Sequence, residues 1–293
     1  MRPTRPSRTA EAAAFLRAWH SYVDDRPLLC EDFAVVPLLR PQTRAFLQPL
    51  SLPVRRALRT RERLQPSLPA MRGQVVVRAC YAEEALDAAL ERGVGQVVVL
   101  AAGLDTLALR RPQLLDQVAF FEVDHPATQA WKRQRLGAAA DGRVHYVAVE
   151  FGRASLRDAL LDAGFSPALT TFVNWLGCTY YLGADALRGT LADLGEVSAP
   201  GSEIVLDFWT PGVGLPTAQR MLLSGVRFSV ALQREPLLGL MTPTALTSLA
   251  EHTGWAVDEL LSPEDQRRRW LQTRRDSLAV PAFAWLARLV RAA

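Results

Sequence analysis

VVVLAAGLDT (97–106) runs an apolar stretch into a glycine turn, and VAFFEVDHP (118–126) ends a second apolar stretch in carboxylates. A strand entering such a turn, beside a strand that closes on an acidic residue, is how parallel sheets grip a nucleotide: backbone N–H groups face the ligand and the carboxylate takes ribose hydroxyls. Asp124 follows Gly103 by 21 residues, near the roughly 20-residue offset that this geometry requires. Glu122 takes that place instead if the second strand ends one residue earlier. Either way the pair predicts an adenosine-containing cofactor.

Outward from this centre the pattern alternates. Before it, Ala82, Ala85, Leu86, Ala89 and Leu90 recur at helical spacing within 81–91, and Gly93 supplies the stop. After it the spacing predicts a helix from Pro126, strands at 144–149 and 169–175, a helix through Leu187, Leu191 and Leu194, and a strand at 203–209. Thr242-Pro243 opens a further helix that Gly254 ends, and two last strands fall at 255–260 and 282–288. Near-continuous apolar strands alternating with helices mean a doubly wound α/β fold, with a mostly parallel sheet covered on both faces and ligands at the carboxyl ends of its strands.

Two segments lie outside that alternation. SRTAEAAAFLRAWHSYV (7–23) is alanine-rich and helix-prone, and the stretch from there to Ala70 carries seven prolines, so 1–72 reads as a helical lid or flank and 73–293 as the binding domain. Residues 210–242 show no clean period and read as a flap inserted in that domain.

The composition narrows the classes. The chain's 293 residues, 49% hydrophobic, suffice for one large core. No apolar run approaches the ~20 residues of a membrane span, and the N-terminus lacks the apolar core of a signal peptide, so a cytoplasmic protein is expected. Cys30, Cys80 and Cys178 are far apart and suggest neither a disulfide framework nor a metal site. The net charge of +4 comes from scattered arginines, with Lys132 the only lysine, and no basic run is interleaved with aromatics. Nucleic acid is not the expected partner.

Spacing alone leaves a dinucleotide and S-adenosyl-L-methionine both open. The turn reads A-A-G-L-D-T with a single glycine, whereas a pyrophosphate grip wants G-x-G-x-x-G, which disfavours a nicotinamide dinucleotide. In VVVRACYAEEAL (75–86), VVVLAAGLDT, FEVDHPATQAWKRQRL (121–136), VAVEF (147–151), NWLGCTYYL (174–182), TPTALTSLAEHTGW and VPAFAWLARL (280–289), the chain resembles bacterial S-adenosylmethionine-dependent methyltransferases related to leucine carboxyl methyltransferases. The opening SRTAEAAAFLRAWHSYVDD resembles that family's first helix, so the likeness covers nearly the whole chain. It implies a Rossmann-like class I methyltransferase with a seven-stranded sheet.

Site roles follow from the resemblance. Arg78 matches the arginine that pairs with the methionine carboxylate of the cofactor, a partner suited to a planar guanidinium. Asp124 matches the carboxylate on the ribose, Glu150 and Phe151 the acidic-apolar pair at the adenine, and Ala101 and Gly103 the turn beneath the amino-acid moiety. Phe151 also reads as ordinary core, and Arg78 as a surface arginine. Three positions depart from the family pattern. Ala101 replaces the first glycine of L-G-A-G, Glu150 replaces an aspartate, and Leu176 replaces the glutamate of W-E-G, removing a charge-assisted hydrogen bond that contributes about 1.5–3 kcal/mol.

The expected activity is O-methylation of a carboxylate, or a hydroxyl, on a small secondary-metabolite acceptor. A carboxylate is ionised at neutral pH and needs no base. Tyr180 and Tyr181 are expected to shape the acceptor pocket behind Leu176, with His20 as the base for a phenolic acceptor and Arg17 as a contact for an acidic one. Trp19, Phe33, Phe46, Trp209 and Phe228 offer aromatic surface to cover it. Because three departures surround one ligand, a second reading stands beside the first: a relative that has lost methyl transfer and either catalyses another reaction or binds the cofactor without consuming it. No motif speaks to oligomeric state.

Overall fold

The computed structural model describes residues 7–47, 57, 62, 67–139 and 142–292. Its centre is a seven-stranded sheet in the order β3-β2-β1-β4-β5-β7-β6. The strands are β1 (Gln96–Leu100), β2 (Ala119–Asp124), β3 (Val144–Ala148), β4 (Thr171–Trp175), β5 (Glu203–Trp209), β6 (Trp255–Leu261) and β7 (Ala284–Arg291). Strands β1 to β5 are mutually parallel, and β7 enters antiparallel between β5 and β6. The expected strands are present, with bounds shifted by up to three residues.

Side chains alternate across the pleat. Val97 and Val99 of β1 join Phe120, Phe172 and Val205 on one face, against Val77, Tyr81 and Leu86 of a long helix. Val98 and Leu100 join Phe121, Val173 and Ile204 on the other, against Leu160, Leu187, Leu191, Leu194 and Leu246. Burial on both faces explains why β1 and β4 are apolar without interruption. Each fully buried Leu, Val or Phe contributes roughly 1.5–3 kcal/mol relative to exposure.

The helices are α1 (Arg8–Val23), α2 (Pro41–Phe46), α3 (Ser67–Glu91), α4 (Pro126–Leu136), α5 (Leu156–Asp162), α6 (Ala184–Val197), α7 (Thr217–Leu232) and α8 (Pro243–His252), besides shorter turns. Helix α3 begins 14 residues before the expected start at Tyr81. Its Val75-Val76-Val77 run disfavours helix locally, but all three side chains are buried, and tertiary burial overrides propensity. The expected boundary at 72/73 therefore falls within one continuous helix.

Within the segment 210–242, α7 occupies 16 residues. Its period was hidden because Leu223 and Val230 face inward while Met221, Phe228 and Leu232 face solvent. Helix α1 has its own small core, in which Ala14, Ala18, Trp19 and Val23 meet Val35, Leu38, Leu39 and Leu104, with Trp131 and Leu136 of α4 at the edge. Arg72 locks α1 to α3, bonding both oxygens of Asp24 at 2.8 Å and Glu62 at 2.6 and 2.8 Å.

Candidate functional site

The carboxyl ends of β1 and β2 form the first half of the site. Strand β1 ends at Leu100, and the chain turns through Ala101 at φ +53° and Gly103 at φ +52°. Ala101 holds a left-handed conformation that costs an L-residue about 1–2 kcal/mol, so the turn keeps its shape although its first glycine is missing. The Gly103 N–H donates to Oδ2 of Asp124, and the His125 N–H donates to Oδ1 at 2.5 Å. The 21-residue spacing thus closes on itself in space. Burial pushes the Asp124 carboxyl above the ordinary 3.8, opposed by the two N–H donors and by Lys132.

Glu122 is not the residue at the rim. It lies two positions back along β2, buried, with Nζ of Lys132 at 2.6 Å from its Oε2. Burial raises the Glu122 pKa against that lysine's pull. The chain's only lysine is thus held by the buried carboxylate two residues before Asp124.

The second half is built at the ends of β4 and β5. Arg78 reaches from α3, and its Nη1 donates to Oδ2 of Asp207 at 2.8 Å and to the Tyr180 hydroxyl at 2.9 Å. The Gln74 amide donates to the same Oδ2 at 2.7 Å, and the Gly177 N–H donates to Oδ1 at 2.6 Å. Burial works against the Arg78 charge, yet Asp207 and Tyr180 more than offset it, so its pKa lies above the ordinary arginine value. Arg78 is buried and ion-paired, not a surface arginine.

Asp207 was missed in the sequence reading. Its signal was a charge inside EIVLDFW, a strand buried along its whole length. It returns a carboxylate to the region that Leu176 leaves apolar, since Leu176 packs against the α3 side of the core. Asn174, on the same face of β4 as Phe172, has a buried Oδ1 with no protein donor. A guanidinium with unused donors, a carboxylate and an orphaned acceptor suit a zwitterionic amino acid, and Asp124 suits a ribose. The residues present therefore fit S-adenosylmethionine.

Other expected residues sort differently. Tyr180 is buried, stacked on Trp209 with centroids 4.2 Å apart, and Tyr181 tilts against it at 4.8 Å. Burial raises both phenol pKa values, with Asp207 adding to the rise at Tyr180. Glu150 is exposed and paired with Arg153 at 3.0 Å, while Phe151 is half-buried against the core beside β3. His20 does not reach this region. It is fully buried, its Nδ1 is 2.7 Å from Asp24 and its Nε2 accepts from the Leu29 N–H at 3.3 Å. Both ring nitrogens are engaged in holding α1, so the base role is set aside. Arg17 is likewise committed, to Asp32 at 2.8 Å and to the Leu104 carbonyl at 2.6 Å. Phe228 projects to solvent rather than over the site.

Helix α1 does cover the turn. A Cβ on Gly103 would stand 3.2 Å from the Cβ of Ala10. Beside Ala10, the Ser7 and Thr9 hydroxyls donate to Oε2 of Glu235, which follows α7, and the Tyr181 hydroxyl meets Thr9. The first turn of α1 thereby spans from the glycine turn to the segment after α7.

Among the described residues no helix is long and apolar enough to cross a membrane. A family model described as leucine carboxyl methyltransferase matches residues 10–195. The candidate S-adenosyl-L-methionine-dependent methyltransferase YktD of Bacillus subtilis (strain 168) is 31% identical over 296 residues, covering 95% of this chain and 96% of that protein. A second candidate methyltransferase, from Parafrankia sp. (strain EAN1pec), is 37% identical over 205 residues, 68% of this chain and 62% of its own length. In structure, a DUF574 family protein from Streptomyces avermitilis superposes with a TM-score of 0.61 over 98% of both chains at 13% identity, a likeness of fold alone. With this match over most of its length, the chain belongs to the leucine carboxyl methyltransferase family, and its cofactor is S-adenosyl-L-methionine.

Proposed function

We propose that this protein transfers the methyl group of S-adenosylmethionine to an oxygen of a small organic acceptor of the secondary-metabolite kind, a carboxylate first and a hydroxyl second. The observation that carries the reading is the pairing of two anchors, Arg78 with its Asp207 at the ends of β4 and β5 and Asp124 at the end of β2. Bound there, the sulfonium supplies an electrophilic methyl group. Arg78 would hold the methionine carboxylate through its unused N–H donors, Asp124 the ribose hydroxyls, and Phe151 with Glu150 the adenine. Tyr180, Tyr181 and Leu176 would wall the acceptor, held in line at about 3–3.5 Å from the methyl carbon.

With the methyl group already activated by the sulfonium, the residues here would have only to hold the acceptor oxygen in line with it. A carboxylate arrives ionised and leaves no proton to remove. That chemistry suits the histidines of this chain. His20 is buried in the lid, His125 caps α4, His145 stacks on Phe121, and His252 is bonded to the Ser248 carbonyl. Asp207 keeps Arg78 charged and in place although Leu176 contributes no carboxylate, which favours retained methyl transfer over a pocket turned to another reaction.

The test uses methyl-labelled cofactor with a panel of small aliphatic acids, aromatic acids and phenols. Alkali-labile label is expected, because a methyl ester releases methanol where an ether does not. Label that resists alkali would move the acceptor to a hydroxyl. Tight cofactor binding without transfer to any acceptor class would overturn the reading.

A further inference from the structure

Helix α7 is built the wrong way round for a surface helix of a lone chain. Its inward face is secured by Leu223 and Val230, which join Tyr180, Trp209 and Phe283 in a cluster behind the site. The opposite face should be polar. Instead Met221, Phe228 and Leu232 stand there, spaced seven and four residues apart so that successive side chains fall on one stripe. Val213 before the helix and Leu238 after it are also apolar and open. These five side chains are between 63% and 91% exposed.

We infer that this stripe is the contact between two copies of the chain, with two α7 helices packed antiparallel about a two-fold axis. The area fits such an occupant. At roughly 120–150 Å² each, the three side chains of the stripe expose about 400 Å² of apolar surface, and Val213 before the helix and Leu238 after it bring the total to about 650 Å², close to the ~800 Å² that each partner of a stable interface covers.

The stripe also has the symmetry that a two-fold contact needs. Thr217–Leu232 has its midpoint between Ser224 and Gly225, and Met221 and Phe228 are equidistant from that point. An antiparallel partner therefore sets Met221 on Phe228 of the second copy, twice, a sulfur–aromatic contact of the favourable kind. A Cβ on Gly225 would meet nothing within 4 Å, so the helices can approach closely at the axis, toward the 8 Å end of interaxial distances. Arg220 and Arg227 are exposed on one flank and form the polar rim. Because the inner face of α7 abuts Tyr180 and Trp209, pairing would fix the wall of the site from behind.

The test is the mass of the full chain in solution, by light scattering and sedimentation at high micromolar protein. The expected species has twice the chain mass of 32.3 kDa. Phe228→Glu should halve it while its far-UV spectrum stays that of the folded parent, and Met221→Glu should do the same if the first variant folds poorly. Gly225→Cys should yield a reducible covalent dimer faster than the parent chain with its three cysteines. A monomer at every concentration overturns the inference, as does a dimer that survives both glutamate variants. A monomer that cosediments with phosphatidylglycerol vesicles but not phosphatidylcholine vesicles would assign the stripe to a lipid surface and overturn it too.

Discussion

Gly177 is where the arginine anchor is most exposed to perturbation. The residue lies at φ +74°, and a Cβ there would stand 2.7 Å from Nη2 of Arg78 and 3.1 Å from its Cζ. Gly177→Ala therefore costs two things. The left-handed backbone costs about 1–2 kcal/mol. Displacing the guanidinium weakens its bonds to Asp207 and Tyr180, and a charge-assisted bond contributes about 1.5–3 kcal/mol. The sum, about 2.5–5 kcal/mol, corresponds to a fall in melting temperature of roughly 5–10 °C for a chain of this size. Gly93→Ala is the control. That residue has φ +85° and nothing within 4 Å of its Cβ position, so it incurs the backbone cost alone, about 2–4 °C. Differential scanning fluorimetry reads both variants, and calorimetry reads cofactor affinity. Affinity should fall roughly ten- to hundredfold in Gly177→Ala and stay unchanged in Gly93→Ala. Equal melting shifts with parental affinity in both would refute the idea that Gly177 positions the Arg78 anchor.

Asp124 should give two pH trends of opposite sign. Its folded pKa is raised above the ordinary 3.8 by burial, so the apo protein gains stability from this group as pH falls through the raised value toward 3.8 and loses it as pH rises. Cofactor affinity, which uses the ionised carboxylate, should weaken over the same fall. Calorimetry across pH should show that loss in the parent and a flat profile in Asp124→Asn; matching profiles would remove Asp124 from the ribose site. Leu176→Glu should lower the apo melting temperature by a few degrees, because it buries a carboxylate against the α3 side of the core, yet tighten cofactor binding about tenfold. Weaker binding would mean that Asp207 already does this work. His20→Gln should cost about 2–3 kcal/mol of stability through the bonds to Asp24 and Leu29, with methyl transfer per folded molecule unchanged. A selective loss of turnover would restore His20 as a base.

Much was legible before any coordinates. The parallel sheet and the Gly103–Asp124 pair follow from periods and spacings that act within one strand–turn–strand unit, where local geometry leaves few alternatives. Arg78 was reached through resemblance, and its burial and partner came from the fold. The start of α3 was obscured because Val75, Val76 and Val77 speak for a strand until burial on every side decides for a helix. The outward stripe of α7 was obscured because apolar residues on both faces erase the period that a sequence can show.

The sequence by itself determined the class of fold, the glycine turn after the first core strand and the acidic residue that answers it, since each depends on backbone conformation and on neighbours a few tens of residues away. Only the tertiary structure decided that Asp207 neutralises Arg78 from 129 residues away, that Glu235 receives Thr9 across 226, and that His20 and Lys132 are committed to buried partners. The reason is physical. A buried charge is tolerable only beside a partner, and which partner stands opposite is fixed by strand order and helix packing, a choice that no stretch of chain makes alone.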